Sequence, residues 1–358
     1  MFDFKSLFGQ ANLPTIGIDI STSSVRLVEL SRSGKQEIRL ERYAAEALPR
    51  GAVADGNIEN FEQVVEAVRR VVKKSGTHAR LVVLGMPPAS VITKKIILPA
   101  GLSDDQLEVQ VESEASQYIP FALDEVSLDF DVLGAIANSP DDIEVMLAAS
   151  RREKVEDRVA IAEAAGLKAV VMDVESYAAR AALERALAHM PAQVAAPGRI
   201  VALFQIGAQV THISVLQDGL AIYEREQSFG GNQLTQDIVR AYGLPFDEAE
   251  MRKKSGDLPE KYDAEILAPF LESAALEVTR AIQFFFTSTA YNRVDQLFLA
   301  GGCALIPGLH GIVAARTRIA SSVLAPFEGM QLAPSVREPR NEAPAYLVAC
   351  GLALRRFA

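Results

Sequence analysis

The chain has 358 residues, long enough for two domains with a sizeable core in each. Hydrophobic residues make up 49% and charged residues 23%, a globular composition that excludes a long disordered tract. Against 46 Asp and Glu stand 36 Lys and Arg, a formal charge of −10, which argues against nucleic acid as the main partner because phosphate binding asks for a basic face.

The start, Met1-Phe2-Asp3-Phe4-Lys5-Ser6-Leu7-Phe8, has the wrong order of charge and apolarity for a signal peptide and reads as a loose terminus. The longest uncharged run, Ile200 to Gln217, carries Gln205, Gln209 and His212 and does not read as a bilayer span. Cys303 and Cys350 form no CxxC, and His78, His189, His212 and His310 have no ligand spacing, so no structural metal or disulfide framework is expected. These features suggest a soluble cytosolic chain.

In chain order, Thr15 to Leu30 reads as apolar strand, a small polar turn (Ser21-Thr22-Ser23-Ser24) and a second strand. A helix with Phe61, Val64, Val65, Val68, Val71 and Val72 on one face follows a capping box of Asn60 and Gln63 and stops at Ser75-Gly76. Strands are expected at Arg80 to Leu84 and Val91 to Leu98. A second capping box, Ser103 with Gln106, opens a helix that Pro120 stops. Two strands (Asp129 to Leu133, Ile143 to Ala148), a helix (Glu153 to Ala165) and a strand (Leu167 to Met172) restore an α/β rhythm, and the Pro- and Ala-rich stretch from Met190 to Gly198 marks a boundary.

The opening pattern then recurs. Leu203 to Leu216 is again strand, four-residue turn and strand, and superposing the two hairpins sets Asp19 on Gln205 and Leu30 on Leu216, a sign of a duplicated architecture. Helices are expected at Gln233 to Tyr242, Asp247 to Ser255 and Pro269 to Thr287, the last carrying Phe284-Phe285-Phe286, read as core. Leu297 to Ala300 is a strand ending in Gly301-Gly302, and Ala345 to Arg355 is a final helix of small residues.

Five elements could carry chemistry. The tip Asp19 to Ser24 offers amides and hydroxyls that can cup an anion, with Asp19 able to reach a metal through water, although such a hairpin can equally be a plain turn. Gly207, Ala208 and Thr211 supply a second tip. Gly230-Gly231 precedes a helix, and Glu250 with Lys253 and Lys254 could hold a ribose and a phosphate or form a surface ion pair. Gly301-Gly302, followed by Cys303, lets a ring or phosphate lie against backbone; Cys303 itself reads as a buried filler.

In this order the five resemble the actin-like ATPase superfamily, whose matching segments are two phosphate loops, a connecting segment, a ribose-contacting helix and the adenosine motif. Gly17-Ile18-Asp19-Ile20-Ser21, Tyr118-Ile119-Pro120-Phe121-Ala122-Leu123-Asp124-Glu125-Val126, Phe229-Gly230-Gly231-Asn232 and Ala343-Pro344-Ala345-Tyr346-Leu347-Val348-Ala349-Cys350-Gly351-Leu352-Ala353 are further similar to the PilM family of type IV pilus assembly. The resemblance implies an α/β, two-lobed actin-like (FtsA-like) fold with a duplicated core and an inserted α/β subdomain. It implies a first lobe of 1–197 with the insert at about 86–165, and a second lobe of 198–358 with a small subdomain at about 245–290. ATP or ADP would lie between the lobes against Asp19, Ser21, Thr22, Ser23, Ser24, Gly207, Ala208, Thr211, Gly230, Gly231, Glu250, Lys253, Lys254, Gly301 and Gly302, with Mg held by Asp19 through water. A groove at Tyr118, Ile119 and Phe121 would take the N-terminal cytoplasmic peptide of the membrane protein PilN.

One departure bears on activity. Superfamily members that hydrolyse ATP briskly carry an acidic residue where this chain has Gln205, and an amide is neither a general base nor a neutraliser of Mg. The expectation is therefore a nucleotide-binding adaptor with at most slow ATPase activity and no catalytic residue, peripheral at the inner membrane through its partners and serving twitching motility. An FtsA-like division protein and a slow kinase of the same superfamily are the alternatives, and self-association is left open.

Overall fold

In a computed structural model, which describes residues 13–33, 37–136, 139–191, 194, 196–339 and 342–357, the chain is mixed α/β. The phenylalanine-bearing start read above as a loose terminus lies outside the described residues. Two compact units form. The first takes the described residues up to Leu27, Ala44–Glu175 and those from Arg355; the second takes Val28–Tyr43 and Ser176–Leu354.

β1 (Thr15–Ile20) is buried at every position, as a central strand of a sheet covered on both faces must be. After it come β2 (Ser24–Ser33), β3 (Glu37–Ala47) and a miniature hairpin of β4 (Val53–Ala54) and β5 (Asn57–Ile58). α1 (Phe61–Ser75) turns Val64, Val65, Ala67, Val68 and Val71 inward, and Gly76 ends it at φ 65°, where a residue without Cβ is unstrained. Its expected capping box is half made: the Asn60 carboxamide accepts from the Gln63 amide at 3.0 Å, but no return bond from the Gln63 side chain forms. β6 (Leu81–Met86) pairs in parallel with β1.

The insert follows. β7 (Val91–Pro99), α2 (Asp104–Tyr118), β8 (Val126–Ile136) and β9 (Ser139–Arg151) build an antiparallel sheet of order β7-β9-β8. Leu107, Val111 and Ala115 of α2 bury against Ile96, Leu98, Val145 and Leu147 in a core of their own. The capping box of α2 is complete, with Ser103 N donating to Gln106 Oε1 at 3.0 Å and Gln106 N to Ser103 Oγ at 3.3 Å. α3 (Arg152–Ala164) and β10 (Lys168–Val174) then return the chain to the sheet, where β10 pairs in parallel with β6.

In the second unit α4 (Glu175–Leu187) precedes an antiparallel run of β11 (Ile200–Ile206), β12 (Thr211–Gln217) and β13 (Leu220–Gln227). α5 (Asn232–Tyr242), α6 (Phe246–Ser255) and α7 (Ala268–Ser288) follow, α7 entered through a π-helical turn at Asp263–Leu267. β14 (Gln296–Ala300), α8 (Leu309–Thr317), β15 (Ser321–Val323), β16 (Gln331–Leu332) and α9 (Leu347–Leu354) complete it. The five-stranded sheet has the order β13-β12-β11-β14-β15, with β14 parallel to both β11 and β15. β16 pairs with β3 through Gln331 and Arg39.

Asp19 and Gln205 each stand one residue from the end of the first strand in their hairpins, so the repeat seen in sequence is structural. The Phe284-Phe285-Phe286 run departs from its expected core role. Phe285 is fully buried, but Phe284 is 48% exposed under the Arg225 guanidinium, 4.2 Å from the ring centroid, because successive helical residues point about 100° apart. Among the described residues no helix is long and apolar enough to cross a membrane.

Candidate functional site

In the first unit the β1–β2 turn is tied by its own serines. Ser21 N and Ser21 Oγ donate to Ser24 O at 3.0 and 2.9 Å, and Ser23 O accepts from Leu48 N at 3.0 Å. Thr22 and Ser23 stand at the half-buried tip. Asp19 is buried at the strand end, facing Arg26 Nη1 at 3.5 Å, and the same nitrogen lies 3.4 Å from Ser21 Oγ. Any metal held through Asp19 therefore shares the carboxylate with a guanidinium. No group of metal-ligating side chains occurs among the described residues.

In the second unit the predicted residues gather at the carboxyl ends of β11 and β14, which pair from Val201–Gln296 to Gln205–Ala300. That end of a parallel strand pair is where open α/β sheets take ligands. The turn Gly207–Val210 closes through Gly207 N donating to Val210 O, and its carbonyls hold the next loop: Gly231 N donates to Gly207 O at 3.0 Å and Asn232 N to Ala208 O at 2.8 Å. Thr211 Oγ1 donates to Phe229 O at 2.8 Å, and Cys303 Sγ lies 3.1 Å from Gly207 O. Three loops thus pack backbone on backbone, which only glycine permits. A Cβ on Gly230 would lie 2.5 Å from Ala208 O, one on Gly231 2.6 Å from Cys303 Sγ, and one on Gly301 2.4 Å from Ile206 O. Gly302 differs, with nothing within 4 Å of its would-be Cβ.

α6 adds the charged members. Lys253 Nζ bonds Glu250 Oε2 at 2.5 Å, Thr235 Oγ1 at 2.7 Å and Gly231 O at 3.3 Å, while Thr235 Oγ1 also donates to Glu250 Oε2. Burial pushes the Glu250 carboxyl up, but Lys253, Thr235 and Lys254 outweigh it and hold the pKa below the ordinary value. In this arrangement Lys253, whose side chain is 15% exposed, ties α6 to the Gly231 loop and to α5. Lys254 remains a surface partner, 65% exposed and 3.1 Å from Glu250 Oε1. Thr235 escaped sequence reading because its role depends on the fold bringing α5 against α6.

The three loops are thus tied to one another, Lys253 Nζ is committed to Glu250, Thr235 and Gly231 O, and Gly302 alone of these glycines leaves open space at its Cα. Gln205, half-buried one residue from the end of β11 and in register with His212, offers an amide there and no carboxylate.

A separate cleft of 430 Å³ lies inside the first unit, lined by Asp55, Asn57, Ser90, Ile119, Phe121, Arg151 and Lys154 among others. Ile119, 5% exposed, caps α2, and Phe121 lies under the Arg151 guanidinium, 4.1 Å from the ring centroid. Tyr118 does not line the cleft. It is 43% exposed with Lys94 over its ring, because the last residue of α2 points away from the face its C-cap buries. The cations of this cleft were not predicted; they sit at the β9–α3 junction, far in sequence from the Tyr-Ile-Pro-Phe segment.

Comparison with known proteins bears on the family and the fold. The family model described as type IV pilus assembly protein PilM matches residues 17–357. A solved PilM-PilN type IV pilus biogenesis complex is 27% identical, covers 96% of this chain and 98% of its own, and superposes with a TM-score of 0.78. Ethanolamine utilization protein EutJ from Carboxydothermus hydrogenoformans shares the fold at 18% identity, 95% and 89% coverage and a TM-score of 0.56. The nucleotide-free diol dehydratase-reactivating factor does so at 11% identity, 96% and 99% coverage and a TM-score of 0.54. The architecture is the actin-like ATPase fold, and the chain belongs to the PilM family of type IV pilus assembly proteins.

Proposed function

We propose that this protein is an ATP-binding adaptor of the type IV pilus inner-membrane assembly platform and grips the N-terminal cytoplasmic peptide of PilN. The observation that carries the reading is the similarity, over 96% of this chain, to a PilM-PilN complex. Ile119, Phe121 and Arg151 are the residues assigned to the peptide, supported by the cleft they line and by its mixture of apolar and cationic groups. The nucleotide is assigned to Ser21–Ser24 on one hairpin and to Gly207, Ala208, Thr211, Gly230, Gly231, Lys253, Gly301 and Gly302 on the other set, with Asp19 facing Mg through water. The gathering of these residues at the carboxyl ends of β11 and β14, where open α/β sheets take ligands, supports that assignment. When bound, Mg would neutralise phosphate charge; the chain's own part is to orient the phosphates by amides and hydroxyls. Gln205 supports an adaptor that hydrolyses slowly. This assignment puts the protein in the cytoplasm, at the membrane through PilN.

Titration with ATP–Mg should raise the melting temperature, and a PilN N-terminal peptide should bind with micromolar or tighter affinity in calorimetry. Failure of both would end this reading.

A further inference from the structure

The sheet of the insert ends on two bare edges of opposite charge. Among the described residues only β9 of the order β7-β9-β8 is paired on both sides. β7 and β8 each run antiparallel to β9 and so parallel to each other, in shared rows. Lys95–Met146–Asp131 is one such row, and Ile97–Glu144–Gly134 is the next on the same face. α2 covers the other face, where Ile96, Leu98, Val145 and Leu147 are buried. Between the two rows β8 bulges, so Leu133 falls outside the ladder.

Both edges expose apolar side chains at this level. Ile97 of β7 is 63% exposed, and Leu133 of β8 is 46% exposed. Gly134 ends its row in open space, with nothing within 4 Å of a would-be Cβ. Beside these stand the charges: exposed Lys94 and Lys95 on β7, exposed Asp129 and Asp131 on β8. Lys95 is already 3.0 Å from Glu144, but that pair is surface-exposed and weak, so the ammonium can share a second carboxylate.

Charge decides which edges can meet. An edge strand offers its unpaired N–H and C=O groups to any strand that fits. β8 against a second β8 sets aspartates against aspartates, and β7 against a second β7 sets lysines against lysines; both two-fold pairings are opposed. Edge charge is also how sheets are kept apart, but that purpose is served by one sign on both edges. Opposite signs guard only against a like edge. They match β8 of one copy to β7 of another: continued in the same register, Asp131 meets Lys95 of the second copy, and Ile97 of that copy fills the space at Gly134 beside Leu133.

We propose that copies of this chain associate through these two edges, β8 of one pairing in parallel with β7 of the next. The contact is heterologous and leaves one free edge of each kind, so it builds a row or a ring and not a closed dimer. It uses neither the nucleotide residues nor the cleft.

The test is sedimentation velocity of the full chain from low to several hundred micromolar. Wild-type mass should rise with concentration and pass twice that of the monomer. K95E and D131K, both at exposed positions, should keep the wild-type melting temperature and stay monomeric over the same range. An equimolar mixture of the two should associate again, because each variant then meets an edge of opposite charge. A wild-type chain that stays monomeric, or that stops at a dimer, overturns the proposal. So does association untouched by either variant, or a mixture that stays monomeric. Should a variant not fold, amide exchange in wild-type protein decides: residues 94–98 and 130–134 should exchange more slowly at high concentration than at low, and unchanged exchange there overturns the pairing.

Discussion

Gly351 of α9 meets Ala178 of α4 so closely that a methyl group on the glycine would lie 1.8 Å from the Ala178 carbonyl oxygen. Backbone cannot yield as a flexible side chain can, so the two helices must separate if the glycine is replaced. G351A should therefore destabilise the second unit by about 1–3 kcal/mol or more, despite alanine's better helix propensity. Thermal unfolding of the variant checks this, and a melting temperature equal to wild type refutes it.

Gly301 combines φ +83° with a would-be Cβ 2.4 Å from Ile206 O. G301A should distort the packed loops at the end of β11 and abolish the stabilisation expected from ATP–Mg, with folded far-UV dichroism retained. A full ATP-induced shift in G301A would place the ligand elsewhere.

The Glu250 network fixes an acid response. A carboxyl whose folded pKa is depressed contributes stability in full above its unfolded pKa, about 4.3, and loses it as pH falls through the folded value. The stability gap between wild type and E250Q, read by urea unfolding, should be constant from pH 7 to 5 and shrink below about pH 4. A gap that grows on acidification contradicts the depressed pKa of Glu250.

Phe121 and Tyr118 separate the cleft from its surroundings. F121A should weaken the PilN peptide about tenfold by removing a wall of the cleft and the seat of Arg151. Y118A should change affinity by less than twofold, because Tyr118 does not line the cleft. Equal losses in both variants would move the groove to the other face of α2.

The phenylalanine run makes a stability contrast. F285A should cost about 3–5 kcal/mol through the cavity left at a fully buried position, while F284A should stay within about 1 kcal/mol. Chemical denaturation of the two variants measures it.

Much of the core framework was legible because local chemistry dictates it. Two apolar strands around a small polar turn announced both hairpins, and Ser103 with Gln106 fixed the start of α2. α4 left no signal: its buried face is Ala178, Ala179, Ala182, Leu183 and Ala186, too small in side chain to print an apolar stripe. β3 mixes charges with half-buried positions and shows no clean alternation. In the site, Gly230 and Gly301 were readable because close backbone approach forces each, which is not so of Gly302. Arg158, which donates to Gly56 O between the cleft-lining Asp55 and Asn57, was not, since that partner is 102 residues away and a buried arginine on a polar helix looks like any other surface cation.

Cys303 lies 7% exposed beneath Gly231, its sulfur against the Gly207 carbonyl, and Cys350 is fully buried with its thiol pushed up to about 12. Both sulfurs are buried, so alkylation waits on local opening. The chain has these two cysteines only, and the one under the glycines thus serves as a built-in clock: its labelling rate times how often the three loops part.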